Sequence, residues 1–267
     1  MFRVLVLIFL VCFSACAISK QPHMNHFSPA KNIVVAHRGA WKKNNLPENS
    51  IASLRNAIAL NCAGSEFDVR MTADDSLVIN HDPNYNHLPI EKSTYANLAK
   101  LPLSNGEKFP TLQQYLQAGM TKNTATKFVC EIKPSDISVD RARIVATKVL
   151  ALVRSMKAEN RITYISFDFE ILKQIIAIDP TAITQYLDGN KSPDEIKAAG
   201  ISGIDYHFSV FKAHPDWIAL AKKNNLILNA WTVNDLETMN WLLSNQFDFI
   251  TTNEPELLFN RIKQNAN

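Results

Sequence analysis

Ile33-Val34-Val35-Ala36-His37-Arg38-Gly39 opens the stretch that decides the fold, and Leu77-Val78-Ile79-Asn80-His81-Asp82 closes it. Each begins as a short apolar run of the kind that forms a buried strand, and each turns abruptly polar at its C-terminal end. Between them lie Pro47-Glu48-Asn49-Ser50, an amphipathic segment with Ile51, Leu54 and Ile58 on one helical face, and a strand carrying Glu66-Phe67-Asp68-Val69-Arg70. Strand, helix, strand is the repeating unit of a parallel α/β fold.

The alternation runs on to the end of the chain. Strands are expected over 127–133, 161–166, 182–186, 201–206, 226–231 and 248–251. Helices are expected over 111–119, 140–157, 169–178, 193–199, 214–224, 235–243 and 255–262. With the strands before His37 and around Glu66, the count reaches eight, which predicts a (β/α)8 TIM barrel. The 267 residues suit one such barrel, whose usual length is about 250. A segment over about 83–110 carries Pro83, Pro89, Pro102 and Pro110 and few apolar repeats, and reads as a short irregular insertion after the second strand. Its Tyr85, His87 and Tyr95 are either substrate contacts or surface residues.

Side chains on a strand alternate between faces, so Glu66 and Asp68 share one face. Two adjacent carboxylates repel, and burying them unpaired is costly. A hard divalent cation, calcium or magnesium, relieves both problems. The competing reading is an exposed edge strand with two solvated acids. His37 and His81 each follow an apolar run, at the strand ends where a parallel barrel places its active site. Phe128-Val129-Cys130-Glu131-Ile132-Lys133 repeats the pattern, with Glu131 and Lys133 on one face. Glu131 is a candidate third metal carboxylate. Lys133 and Arg38 are candidate cations for an anionic substrate, arginine being suited to phosphate by its planar fork. A surface ion pair is the alternative for Glu131 and Lys133.

His37-Arg38-Gly39, Pro47-Glu48-Asn49, Glu66-x-Asp68, His81-Asp82 and Glu131-x-Lys133, in this order, resemble the motifs of the glycerophosphodiester phosphodiesterase family. The resemblance runs from about residue 32 to the C-terminal end and implies the same barrel. It implies a metal-dependent hydrolase acting on a small-molecule phosphodiester such as glycerophosphocholine or glycerophosphoethanolamine. Glu66, Asp68 and Glu131 would then hold one Ca2+ or Mg2+, and His37 and His81 would divide general base and general acid duties, with His81 the expected acid. Arg38 and Lys133 would stabilise charge on phosphorus, and Glu48 would join or orient the metal shell. Trp231, at the end of the seventh strand, would either stack on the glycerol portion or plug the barrel top. Family members often carry aspartate near the position of Asn253, so Asn253 is not assigned to the metal. Two rivals remain: action on lysophospholipids or phospholipid head groups, and a non-catalytic phosphodiester-binding protein on the same barrel.

A net charge of +3, without long runs of lysine or arginine, gives no support to nucleic acid as a partner. No feature of the sequence points to a particular oligomeric state. Met1-Phe2-Arg3, the apolar run from Val4 to Phe13, and Ser14-Ala15-Cys16-Ala17 read as a signal peptide over residues 1–16. Its apolar core is too short to span a membrane. Phe13-Ser14-Ala15-Cys16 resembles a bacterial lipoprotein box, with Phe13 where leucine is usual. Ala15-Cys16-Ala17 also fits cleavage to a soluble product. The lipoprotein reading is preferred, and it gives an exported envelope protein held to the membrane only through Cys16. Residues 17–31 then form a flexible tether and residues 32–267 the barrel domain. Cys62 and Cys130 are either buried small hydrophobes or an exported protein's disulfide.

Overall fold

The computed structural model describes residues 27–265. The expected signal peptide, the lipid anchor at Cys16 and the tether as far as residue 26 lie outside the described residues. Among the described residues there are eleven strands: β1 (Val34–Ala36), β2 (Gly64–Met71), β3 (Leu77–Ile79), β4 (Asn84–Tyr85), β5 (Leu88–Pro89), β6 (Lys127–Ile132), β7 (Ile162–Ser166), β8 (Thr184–Tyr186), β9 (Gly203–His207), β10 (Ile227–Trp231) and β11 (Phe249–Thr252). Eight of them form a closed parallel ring in the order β1-β11-β10-β9-β8-β7-β6-β2, with β1 pairing back onto β2. Helices lie between successive strands, so the fold is the expected TIM barrel.

Local sequence explains the units. Ser50 caps the helix Ile51–Ala59 by accepting from the Ser53 amide, while the Ser53 side chain accepts from the Ser50 amide. Thr111 and Gln114 form the same box at the helix Leu112–Met120. Ser192, with Pro193 in the first turn, starts the helix Pro193–Ala198. The main core is the shell between barrel and helices, and it includes Leu54, Phe67, Phe128, Val149, Leu172 and Leu228. A smaller cluster of Val35, Val129, Ile165 and Leu187 packs inside the barrel, with Phe167, Trp231 and Phe249 against it.

Several expectations need correction. Leu77–Ile79 is not a parallel strand equivalent to the one before His37. It pairs antiparallel to the far end of β2, with Val69 opposite Ile79. β2 rises past the rim, and β3 carries the chain back down until the Asn80 amide donates to the Asp68 carbonyl. His81 therefore reaches the barrel mouth by a hairpin return rather than by a strand end of its own.

The 83–110 segment is ordered. It forms the β4–β5 hairpin, a 3₁₀ turn at Ile90–Lys92 and a short helix at Tyr95–Leu98 over a core of Val78, Ile90, Leu98 and Phe109. Tyr85 stacks on Phe109 with ring centroids 4.2 Å apart, and the Tyr95 hydroxyl donates to the Phe109 carbonyl. Both tyrosines therefore hold the insertion together, and His87 stays on the surface. Truncating Phe109 to alanine should cost roughly 3 kcal/mol of local stability, as large-to-small core changes do. It should appear as faster amide hydrogen exchange across residues 83–110, with little change in the strands of the barrel.

The helix expected over 214–224 spans Asp216–Lys223, and a separate short helix, Phe208–Ala213, precedes it. Residues 27–31 are not a free tether. The Ser28 and Ala30 amides donate to the carbonyls of Thr124 and Ala125, and the Arg161 guanidinium stacks over Phe27. Cys62 and Cys130 are buried free thiols, so the first of the two readings holds. Among the described residues no helix is long and apolar enough to cross a membrane.

Candidate active site

Parallel pairing of β2 with β6 sets Asp68 opposite Glu131. Alternation brings Glu66 onto the same inward face, and ligand oxygens of all three lie within 4.8 Å of one another. The exposed edge-strand reading fails, because Glu66 is 2% exposed and Asp68 1%. Lys133 Nζ lies 2.8 Å from Asp68 and 2.7 Å from Glu131, so the Glu131 and Lys133 pair is buried rather than superficial. Asn49 grips Asp68 twice: its Nδ2 donates to Oδ2 at 2.8 Å, and its Oδ1 accepts from the Asp68 amide.

The electrostatics of this cluster are frustrated. Burial, reinforced by Asp68 and Glu131, pushes Glu66 well above the ordinary carboxylate range. Burial and Asp68 push Glu131 up to about 7, against the pull of Lys133. Burial acts the same way on Asp68 but is outweighed by Lys133, His81 and Arg38, which hold it below its usual value. Glu66 Oε1 is buried with no hydrogen-bond partner. Three buried carboxylates, one with an orphaned oxygen, fit a hard divalent cation.

After β1 the backbone turns through Arg38 at φ 54° and Gly39 at φ 80°. A Cβ at Gly39 would fall 2.7 Å from the Ser53 backbone, so only glycine fits this turn. The turn points the Arg38 amide at Glu66 Oε2, 2.8 Å away. It also sends the Arg38 guanidinium between Glu48, at 2.8 Å, and Asp68, at 3.7 Å. Glu48 therefore orients Arg38 and stands outside the carboxylate trio. Arg38 Nε is buried, faces Asp68 and makes no hydrogen bond.

His37 Nδ1 donates to Asn253 Oδ1 at 2.7 Å. That bond puts the ring proton on Nδ1 and leaves Nε2 as the acceptor, facing Glu66 at 3.9 Å. Burial, with Arg38 adding to it, lowers His37 to about 4, so the ring is neutral near pH 7. His81 stands across the mouth with its Nδ1 bonded to Asp82 at 2.8 Å, so its Nε2 is not used in that bond. The Arg70 guanidinium fixes the His81 carbonyl through two bonds.

His37, Arg38, Glu66, His81, Glu131 and Lys133 line one open cavity of about 450 Å3 at the barrel mouth. Its far wall is apolar, made by Ile165, Phe167, Leu187 and Trp231, with Asp205 beneath. Trp231 meets Phe167 edge to face, and its Nε1 donates to the Asp205 carbonyl. The indole is therefore a fixed wall of the cavity and leaves the mouth open. Of the candidates read from the sequence, His37, Arg38, Glu66, His81, Glu131, Lys133 and Trp231 line this cavity; Asp68 sits just behind it on Lys133, Glu48 stands outside on Arg38, and Tyr85, His87 and Tyr95 belong to the insertion. Sequence reasoning missed three partners. Asn49 was visible in Pro47-Glu48-Asn49, but nothing in the sequence links it to Asp68. Asn253 had been set aside from the metal, and its bond to His37 needs the ring closure of β1 on β11. Asp205 lay in an unremarkable strand.

The family model for the glycerophosphoryl diester phosphodiesterase family matches residues 37–257. A crystal structure of a glycerophosphodiester phosphodiesterase from Parabacteroides distasonis superposes with a TM-score of 0.85 at 39% identity, covering 90% of this chain and all of that one. A glycerophosphodiester phosphodiesterase from Caldanaerobacter subterraneus is 28% identical over 248 residues, 88% of this chain and 99% of the relative. An Oleispira antarctica phosphodiesterase, solved with the product sn-glycerol-3-phosphate, shares the fold with a TM-score of 0.75 at 21% identity, over 87% and 97% of the two chains.

Proposed function

The chain belongs to the glycerophosphoryl diester phosphodiesterase family, a family of enzymes, and from that premise we propose that it hydrolyses glycerophosphodiesters to glycerol 3-phosphate and an alcohol. The observation that carries the reading is the convergence of two imidazoles, two cations and three carboxylates on one cavity mouth. Deacylated phospholipids such as glycerophosphoethanolamine and glycerophosphocholine are the substrates of choice.

Arg38 and Lys133, both at the cavity, meet the negative phosphate. Neutral His37, held by Asn253 with Nε2 free, takes the proton of the attacking hydroxyl, whether of water or of the glycerol unit. The new oxygen–phosphorus bond forms as the bond to the head-group oxygen breaks; where the glycerol hydroxyl attacks, water then opens the resulting cyclic phosphate to glycerol 3-phosphate. His81 gives its proton to that departing alcohol. Glu66, Asp68 and Glu131 would hold one Ca2+ or Mg2+, which supplies Lewis-acid polarisation of a phosphoryl oxygen. An envelope location through lipid on Cys16 completes the reading, and the intact mass of protein extracted from membranes tests it.

The test is glycerol 3-phosphate release from glycerophosphoethanolamine. EDTA should abolish it, and either calcium or magnesium should restore it. Release that is indifferent to chelation would remove the metal role from Glu66, Asp68 and Glu131. Faster turnover of lysophosphatidylcholine than of glycerophosphocholine would move the substrate to lysophospholipids.

A further inference from the structure

Asp205 is the one buried charged group at the cavity to which the mechanism above gives no work. It sits on β9, and β9 is opposite β2 whichever way round the ring is followed. Asp205 therefore faces the Glu66 and Asp68 strand across the width of the barrel. It is 1% exposed, and its Oδ1 has no hydrogen-bond partner. Its cross-strand neighbour Asn229 leans on the carboxyl but gives its Nδ2 to Thr251, at 3.1 Å, so Oδ1 is left without a donor. The surrounding wall of Phe167, Leu187 and Trp231 supplies no side-chain polar atom to it, since the indole N–H is spent on the Asp205 backbone. Leaving such a group unsatisfied is costly, and no packing need explains it.

Resting on the phosphodiesterase reading, we propose that the Asp205 carboxyl is the subsite for a free hydroxyl on the glycerol half of the substrate. A phosphate held at Arg38 and Lys133 leaves the glycerol carbons lying along the apolar wall towards β9. There a hydroxyl meets Asp205, the buried acid of that wall, whose Oδ1 has no partner. Its unpartnered oxygen accepts a hydrogen bond from a hydroxyl. An acyl ester at the same position has no proton to give, so Asp205 selects deacylated diesters. A site built to pair a hydroxyl discriminates strongly against an analogue lacking it, because its own polar atoms are left unpaired.

Binding decides it without reference to turnover. Calorimetry, with calcium and magnesium present, compares glycerol 3-phosphate, propyl phosphate and phosphoethanolamine on wild type, Asp205→Leu and Asp205→Asn. The ratio of glycerol 3-phosphate to propyl phosphate affinity should fall about tenfold in Asp205→Leu, the size of one or two lost hydrogen bonds. Asp205→Asn, which still donates and accepts, should keep most of that ratio. Asp205→Leu should melt no lower than wild type, because it removes an unpaired buried carboxyl; this separates a binding role from a structural one. An unchanged ratio overturns the subsite. So does a loss confined to phosphoethanolamine, which would assign Asp205 to a cationic head group. The same preparations are assayed for glycerol 3-phosphate release. No release from wild type with the ratio shifted would sink the phosphodiesterase reading and keep the hydroxyl subsite. Normal release with the ratio unshifted would do the reverse.

Discussion

Replacing His37 with alanine should lower kcat/KM for glycerophosphoethanolamine by about a hundredfold to ten-thousandfold, the range that a positioned general base contributes. The structure says why the loss falls on chemistry. His37 makes one side-chain bond, to Asn253, and its Nε2 points into the cavity. Its backbone stays tied to Thr252 whatever the side chain, so the turn that carries Arg38 survives the change. The loss should therefore appear in kcat, with KM and melting temperature close to wild type. Asn253→Leu should give a smaller loss of the same kind, because the ring remains but its tautomer is no longer fixed. The pH profile separates a base from a bystander. Protonating His37 removes the base, so activity falls as pH falls through its pKa. Burial and Arg38 hold that pKa down at about 4, which puts the acid limb on the acidic side of an ordinary imidazole. Wild-type kcat in the His37→Ala protein would end the assignment.

The barrel was legible because its signal is repetitive. Eight apolar runs separated by helical periodicity leave little choice of architecture, and the Ser50, Thr111 and Ser192 boxes mark helix starts by local chemistry. Glu66, Asp68, Glu131 and Lys133 were legible by the same logic. Period-two alternation and parallel pairing carry a one-dimensional pattern directly onto one face of a sheet. What was illegible depends on contacts distant in sequence. His81 has the look of a strand-end histidine, yet its place follows from an antiparallel return whose direction no periodicity encodes. The insertion reads as prolines and scattered aromatics. Its order comes from Tyr85 and Tyr95 meeting Phe109, a pairing that exists only once the loop has closed. Asn253 and Asp205 are ordinary letters, and they acquire meaning only because the ring sets β11 beside β1 and β9 opposite β2.

Glu66→Gln should abolish cation-dependent activity while making the cation-free protein more stable. Both effects have one cause. Glu66 is buried between Asp68 and Glu131, and these neighbours together with burial raise its pKa far above the usual range. A folded pKa above the unfolded one means that stability is fully present below the unfolded value and is lost as pH rises through the folded value. Glu131, raised from 4.5 to about 7, adds a loss of its own between those two values. The cation-free wild type should therefore lose stability as pH rises above 4.5, and Glu66→Gln should lose only the share that belongs to Glu131. Glutamine keeps an oxygen to accept the Arg38 amide, so the 2.8 Å bond that shapes the turn is preserved. Calcium or magnesium binding only the folded state should raise the wild-type melting temperature in proportion to the logarithm of its concentration. Removing one of three carboxylates should shrink that rise severely and cut turnover by about a hundredfold or more, in line with the several kcal/mol that Lewis-acid stabilisation supplies. A structural ion cluster predicts the opposite pattern. If Lys133 alone balanced the carboxylates, Glu66→Gln would leave the cation response of the melting temperature flat in both proteins and turnover nearly intact. Differential scanning fluorimetry at pH 5 and pH 7.5, with and without each ion, distinguishes the two, because only a cation site couples the stability gained without metal to the activity lost with it.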